Sequence, residues 1–105
     1  MVTRNHVILT GKVAKPPLRH YRPDGSPVIQ FPLELNHQEE TPMDGQKSRV
    51  DIVAIGKLAE LEPTLFQSGQ RLLVEGRLQQ RRWKTAEGRE LNRIEVIATD
   101  FQKVE

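Results

Sequence analysis

The chain has 105 residues and a mass of 12.1 kDa, enough for one compact domain and too few for two, so we predict a single domain spanning residues 1–105. It contains no cysteine, which excludes disulfides, zinc–thiolate sites and thiol catalysis. The formal net charge is only +2, no apolar run approaches the roughly 20 residues of a membrane span, and residues 1–6 lack the apolar stretch of a secretory signal. We therefore expect a soluble cytoplasmic protein without membrane contact.

Alternation of apolar and polar residues, typical of half-buried β-strands, dominates the first half of the chain. It predicts strands at His6–Val13 and Val28–Leu35, with a shorter and mostly apolar third strand at Val50–Ile55. In the second strand the apolar row that we assign to the core comprises Ile29, Phe31, Leu33 and Leu35. A turn signal at 23–25, Pro-Asp-Gly, separates the first two strands.

One segment has a helical period instead. Leu58, Leu61 and Leu65 follow Gly56 at positions i, i+3 and i+7, which predicts an apolar stripe along about two helical turns. Pro63 limits the regular length of this helix, and Ser68-Gly69 ends it.

Alternation returns in two further strands, Arg71–Trp83 and Asn92–Phe101, joined by a turn at 86–88. In the fourth strand Leu72, Val74, Gly76 and Leu78 are predicted to face the core, and Arg77, Arg81 and Trp83 share the opposite side. In the fifth strand the inner row is Ile94, Val96 and Ala98.

These elements predict an all-β protein with one short helix, a five-stranded OB-fold barrel in the order β-β-β-α-β-β. Such barrels present the face of their second and third strands, with the 1–2 and 4–5 loops, to oligonucleotides or oligosaccharides. Basic side chains concentrate near both loops: residues 1–33 carry five against one acidic side chain, and residues 71–93 carry seven against three. Residues 34–62 are acidic, with seven carboxylates against three basic side chains.

Several segments resemble the bacterial single-stranded-DNA-binding proteins, in the right order over nearly the whole chain. They are Asn5–Gly11, Arg19–Gly25, Val53–Glu60, and Gly69–Leu78 followed by Arg81-Arg82-Trp83. The chain departs from that family in two respects. It stops right after the fifth strand, where the family usually carries a disordered tail with an acidic tip. Residues 36–40 and 48–50 also lack the family's stacking tryptophans.

A further segment, Gly25–Glu34 with Gln38-Glu39-Glu40 after it, is similar to the tail-less primosomal relatives within that family. This resemblance implies a homodimer that binds single-stranded DNA and assists replication restart, with a primosomal helicase and other replication-restart proteins as partners. A tail-less tetrameric single-stranded-DNA coat protein stays open as an alternative. So does an adaptor from a different class, which would bind replication proteins through residues 34–62 and contact DNA little.

For DNA binding we predict contacts from the basic loops and their aromatic neighbours, because lysine and arginine neutralise phosphates while aromatic rings stack on bases. The alternative is that the charges serve only solubility. Trp83 and Tyr21 are the stacking candidates, with packing in the fold as the alternative. The full set is Lys12, Lys15, Arg19, His20, Tyr21, Arg22, Arg77, Arg81, Arg82, Trp83, Lys84 and Arg89.

No pattern favours an enzyme, a metal or a cofactor. His6, His20 and His37 lie far apart without ligand-like spacing. The carboxylates Glu39-Glu40 and Asp44 fall in a loop with Pro and Gly, where no apolar pocket is predicted to shift a pKa. The glycines are dispersed, so no phosphate-cradling loop is present. We predict a non-catalytic binding protein.

Overall fold

The computed structural model describes residues 4–35, 48–61 and 66–104. In these ranges most residues belong to six β-strands. They are β1 (Val7–Val13), β2 (Leu18–Tyr21), β3 (Pro27–Leu35), β4 (Arg49–Ile55), β5 (Arg71–Lys84) and β6 (Glu90–Lys103). A short 3-10 turn at Gly56–Glu60 follows β4.

The sheet closes on itself. Its strand order is β1-β5-β6-β4-β3-β2, and β1 also pairs with β3, so that β1, β5, β6, β4 and β3 form a ring. All pairings are antiparallel except the one between β4 and β6. The closed, mostly β architecture expected from the alternation is confirmed.

Three aromatic rings lie at the centre of the barrel interior. Phe31, Phe66 and Phe101 pack on one another with centroid separations of 5.2 to 6.1 Å. Around them lie the inward rows of the strands, including the predicted Ile29 and Leu33 of β3. Burial of these apolar side chains is the main stabilising contribution of the sheet.

Glycine is required at two positions inside strands, where the backbone of the neighbouring strand lies too close for a side chain. A Cβ on Gly76 of β5 would overlap the carbonyl oxygen of Ile97 in β6, and one on Gly11 of β1 would overlap the carbonyl oxygen of Glu34 in β3. The β5–β6 register also shifts between Glu75 and Gly76. The overlap with a neighbouring carbonyl oxygen is therefore the physical reason for glycine at both positions.

The structure differs from the sequence prediction in three places. A sixth strand, β2, forms in the predicted loop between the first two strands and makes a hairpin with β3. Where the structure describes the predicted two-turn helix, it is a 3-10 turn, Gly56–Glu60, and Leu65 lies outside the described residues. Leu78 and Ile94, predicted to face the core, are exposed because β5 and β6 continue beyond the barrel as a two-stranded hairpin.

The start of β1 is held to β5 by a side chain. The side-chain amide of Asn5 donates to the carbonyl oxygen of Leu78 at 2.9 Å and accepts from the Leu78 N–H at 2.8 Å, two positions beyond the last backbone pair, Val7 with Gly76. In the described ranges no helix is long and apolar enough to cross a membrane.

Candidate functional site

The outer face of the sheet forms one curved surface, which we call the outer groove. The strand register defines it. Gln30 of β3 lies between Leu18 of β2 and Val53 of β4. Val53 in turn lies opposite Ile97 of β6, and Ile97 lies opposite Arg77 of β5. Side chains of directly paired residues point to the same face of a sheet, so this row crosses five strands.

The groove has an apolar floor. Val28, Val53 and Ile97 form a small cluster separate from the barrel core, with Ile55 packed against it. All three cluster residues are buried although they lie on the outer face, because the surface is concave there and polar side chains surround them. The floor opens to a cleft of about 280 Å³, near the lower end of the sizes typical of ligand sites.

Polar side chains from opposite sides of the sheet line this cleft. His20 and Arg22 come from the β2 side, whereas Gln79 and Arg81 come from the β5–β6 hairpin. Two cationic borders therefore flank an apolar centre. Such a surface suits a chain of flat apolar groups joined by anionic links.

Two carboxylates lie within this cationic surface, each paired with an arginine. Glu95, opposite Asp51 in the parallel β4–β6 register, forms an ion pair with Arg81, with 3.2 Å between nitrogen and oxygen. Asp51 forms an ion pair with Arg93, with 3.5 Å between nitrogen and oxygen. Glu95 is only 3% exposed and is the one buried charged residue in the part of the chain that the structure describes. The Arg81 guanidinium also lies over the Trp83 ring, 4.8 Å from its centroid.

A second, smaller cleft adjoins the first, and Gln30 lines both. Its volume is about 220 Å³, and its other lining residues include Lys15, Leu18, Asp51 and Arg93. The outer groove is therefore continuous from the β2 side toward the Asp51–Arg93 pair.

The structure brings half of the predicted binding residues to the outer groove. His20, Arg22 and Arg81 line the first cleft, and Lys15 lines the second. Arg77 belongs to the same face by register, and Trp83 reaches it through its contact with Arg81. Trp83 is partly buried, whereas a side chain on an uncovered face of a hairpin could be fully exposed.

The remaining predicted residues lie elsewhere, and the expected single set of contacts is divided. Arg19 donates to the carbonyl oxygen of Ala59 at 3.3 Å, and Tyr21, which is 65% exposed, shares its side of β2. Arg82 and Lys84 alternate with Arg81 and Trp83 along β5, so they point to the opposite face of the hairpin. Exposed positions at the edges of the molecule hold Lys12, in β1, and Arg89, after the 86–88 turn.

Sequence reasoning missed Gln30, Gln79, Glu95 and the apolar floor. A signal existed for the floor, since β4 is apolar on both faces and such strands are covered on both sides. Glu95 alternates with Val96 in the predicted fifth strand, which gave its face but not its burial.

Within the described ranges no three His, Asp or Glu side chains group as metal ligands. His6 instead contacts Glu75 at 2.6 Å on the far side of the barrel. His37, Glu39, Glu40 and Asp44 lie outside the described residues.

A closed β-barrel that carries a cationic groove on the outer face of its second and third barrel strands defines the class of OB-fold binding proteins. The profile of the Single-strand binding protein family matches residues 4–104, and the chain belongs to this family.

Relatives of known name agree with this assignment. The chain is 32% identical over 103 residues to the single-stranded DNA-binding protein of Aquifex aeolicus, covering 95% of this chain and 69% of that protein. It is 34% identical over 97 residues to the protein of the same name from Thermotoga maritima, covering 90% and 69%. Among solved structures, the Plasmodium falciparum SSB complex with ssDNA superposes with a TM-score of 0.83 over 100% of this chain and 98% of that one, at 21% identity, which is a likeness of fold.

Proposed function

We propose that this chain binds single-stranded DNA without sequence preference along the outer groove, and that it is a binding protein without catalytic activity. Family membership and the names of its relatives support single-stranded DNA as the ligand. The observation that carries the location is the apolar floor with an arginine on each border, Arg22 on one side and Arg77 on the other.

Each part of the groove has a role in this proposal. Arg22 on one border and Arg77 on the other neutralise backbone phosphates, and release of condensed counterions supplies affinity that is independent of sequence. Bases lie toward the floor and stack on aromatic or planar side chains, an interaction that tolerates any base. Trp83 is the stacking residue at the hairpin end of the groove, and Tyr21, outside it, is assigned no base.

A matched pair of variants on one strand tests the location. Arg77 and Arg82 are both exposed residues of β5, but they point to opposite faces. The affinity of a labelled oligo-dT is measured by fluorescence anisotropy across a series of salt concentrations. We expect Arg77→Gln to flatten the log–log salt dependence by about 0.7, the value for one phosphate on a single strand, and Arg82→Gln to leave it unchanged. Equal effects of the two variants would refute the outer groove as the site.

The same titration separates binding from adaptor function. A wild-type protein that tracks phosphates loses affinity steeply with salt. A flat response with weak binding favours the adaptor hypothesis, in which the acidic 34–62 region contacts other proteins.

We further propose that the chain acts in the cytoplasm as a homodimer of the kind formed by primosomal replication protein N (PriB), assisting replication restart with a primosomal helicase and other restart proteins. The similarity of Gly25–Glu34 to that protein supports this role. A strand edge supports the dimer: within the described residues β1 pairs with β3 only from Gly11 onward, and Ile8 is 59% exposed. An antiparallel edge is self-complementary about a two-fold axis.

Analytical ultracentrifugation with and without oligonucleotide tests the assembly. A dimer agrees with the primosomal proposal, and a tetramer favours a single-stranded-DNA coat protein. A charged residue on this strand edge, Ile8→Lys, is expected to shift a β1-edge dimer toward monomer.

A further inference from the structure

Among the charged residues that the structure describes, Glu95 alone is buried, and it lies beside the proposed site. Its side chain is 5% exposed, whereas that of its partner Arg81 is 47% exposed. A buried carboxylate needs a partner that offsets the loss of hydration, and an opposite charge close by is the strongest one. Arg81 supplies the opposite charge at 3.2 Å, so its guanidinium is held over the groove by the carboxylate that lies beneath it.

The guanidinium that Glu95 holds also contacts Trp83. The Arg81 Cζ atom lies 4.8 Å from the centroid of the Trp83 ring, within the range of a cation–π interaction. Arg81 and Trp83 lie on the same face of β5, two positions apart. Glu95, Arg81 and Trp83 thus form a chain of contacts that runs from beneath the groove to its hairpin end.

Register explains why this arrangement is specific to Arg81. Arg93 lies directly opposite Arg81 in the β5–β6 hairpin, so two like charges meet there. Each guanidinium is directed to its own carboxylate, Arg81 to Glu95 and Arg93 to Asp51. Only the Glu95-bound arginine covers the tryptophan ring.

We infer that Glu95 is a positioning residue: it fixes the Arg81 guanidinium against Trp83, so that Arg81 serves as a planar stacking surface for a nucleobase and not as a phosphate contact. The second half of this inference rests on the proposed function. Since the charge of Arg81 is already compensated by Glu95, its capacity to neutralise a phosphate is largely used, and the phosphate contacts fall to Arg22 and Arg77.

The first test needs no DNA. Trp83 is the only tryptophan of the chain, so its fluorescence reports on this contact alone. Acrylamide quenching is measured for wild type, for Glu95→Gln, which removes the charge but keeps the shape, and for the control Arg77→Gln on the same face of β5. Release of Arg81 uncovers one of the two ring faces, so we expect the Glu95→Gln quenching constant to rise by up to about twofold. The control is expected to match wild type.

A second variant covers the case in which Glu95→Gln folds poorly by circular dichroism. Arg81→Lys keeps a charge for Glu95 but lacks the planar guanidinium, and it is expected to uncover the ring to the same extent. A quenching constant equal to wild type in a folded Glu95→Gln or Arg81→Lys protein overturns the positioning role.

The second test measures oligo-dT affinity against salt. In Glu95→Gln the freed Arg81 gains a phosphate, so the salt dependence is expected to steepen by about 0.7. An unchanged slope in the folded variant refutes the assignment of Arg81 to stacking and not to phosphate. If wild type itself does not bind oligo-dT, the proposed function fails, and the DNA-free measurement still decides whether Glu95 positions Arg81.

Discussion

Trp83→Ala tests whether the one tryptophan serves binding more than folding. Trp83 belongs neither to the barrel core nor to the apolar floor of the outer groove. The guanidinium of Arg81 lies over its ring, and Leu91 lies opposite it in the β5–β6 register. Truncation to alanine removes the ring from both neighbours, together with the proposed stacking surface.

The two contributions differ in size. An exposed cation–π contact is worth about 0.5–1 kcal/mol and a cross-strand pair about 0.2–1 kcal/mol, so we expect a stability loss of about 1–2 kcal/mol. A core tryptophan would cost about 3–5 kcal/mol. Loss of one stacked base costs about 1–3 kcal/mol of binding, which weakens oligo-dT affinity by about 5- to 150-fold.

Urea unfolding and fluorescence anisotropy with labelled oligo-dT measure the two quantities on the same preparation, at one protein concentration because an oligomer would couple the measurements. Trp83→Phe retains a flat ring and is the control, with most of the affinity kept. A stability loss above about 3 kcal/mol with affinity unchanged would refute the reasoning, because Trp83 would then be a packing residue of the hairpin.

Two further predictions concern the scaffold. Gly76→Ala is expected to lower the unfolding free energy by about 1–3 kcal/mol in urea, because its Cβ would overlap the Ile97 carbonyl oxygen; wild-type stability would show that the β5–β6 bulge yields without strain. The hydroxyl and N–H of Ser26 both donate to Asp24 and hold the pKa of that carboxyl below its ordinary value. The turn before β3 therefore keeps this stabilisation at neutral pH and loses it as the pH falls through the lowered pKa. The Ser26 amide shift in a pH titration by NMR is expected to report that low midpoint, and Asp24→Asn to abolish the step; a midpoint at or above the ordinary carboxyl range would contradict it.

The sequence was sufficient to predict the barrel interior because period-two alternation depends only on which face of a strand is buried. The row of Ile29, Phe31 and Leu33 is core as expected. The prediction was wrong for Leu78, where the same alternation continues after the barrel ends, because periodicity shows which residues share a face and not what covers it. The length of the β5–β6 hairpin decides this, and it is a tertiary property.

The candidate site was predicted by charge, and charge does not distinguish the faces of a strand. Arg81 and Arg82 are adjacent in sequence and equally basic, yet they point to opposite sides of β5. Parity along the strand, which puts Arg77, Arg81 and Trp83 on one side, does separate them, but the predicted set kept Arg82 for its charge. Glu95 was beyond sequence reasoning, since its burial depends on the parallel pairing of β4 with β6 and on the position of Arg81 across the hairpin.

The long β5–β6 hairpin connects the fold to the proposed binding surface. Because these strands continue past the barrel, their outward row faces the same side as the outward row of β3 and β4, and the concave surface between them buries Val53 and Ile97. The apolar floor and the border that carries Arg81 therefore both follow from the continuation of β5 and β6 past the barrel. A surface held by paired strands needs little ordering when it binds, so more of the contact energy is available as affinity. The Glu95–Arg81 pair extends the same principle to a flexible side chain, since a guanidinium fixed before binding loses less conformational entropy on contact with a base.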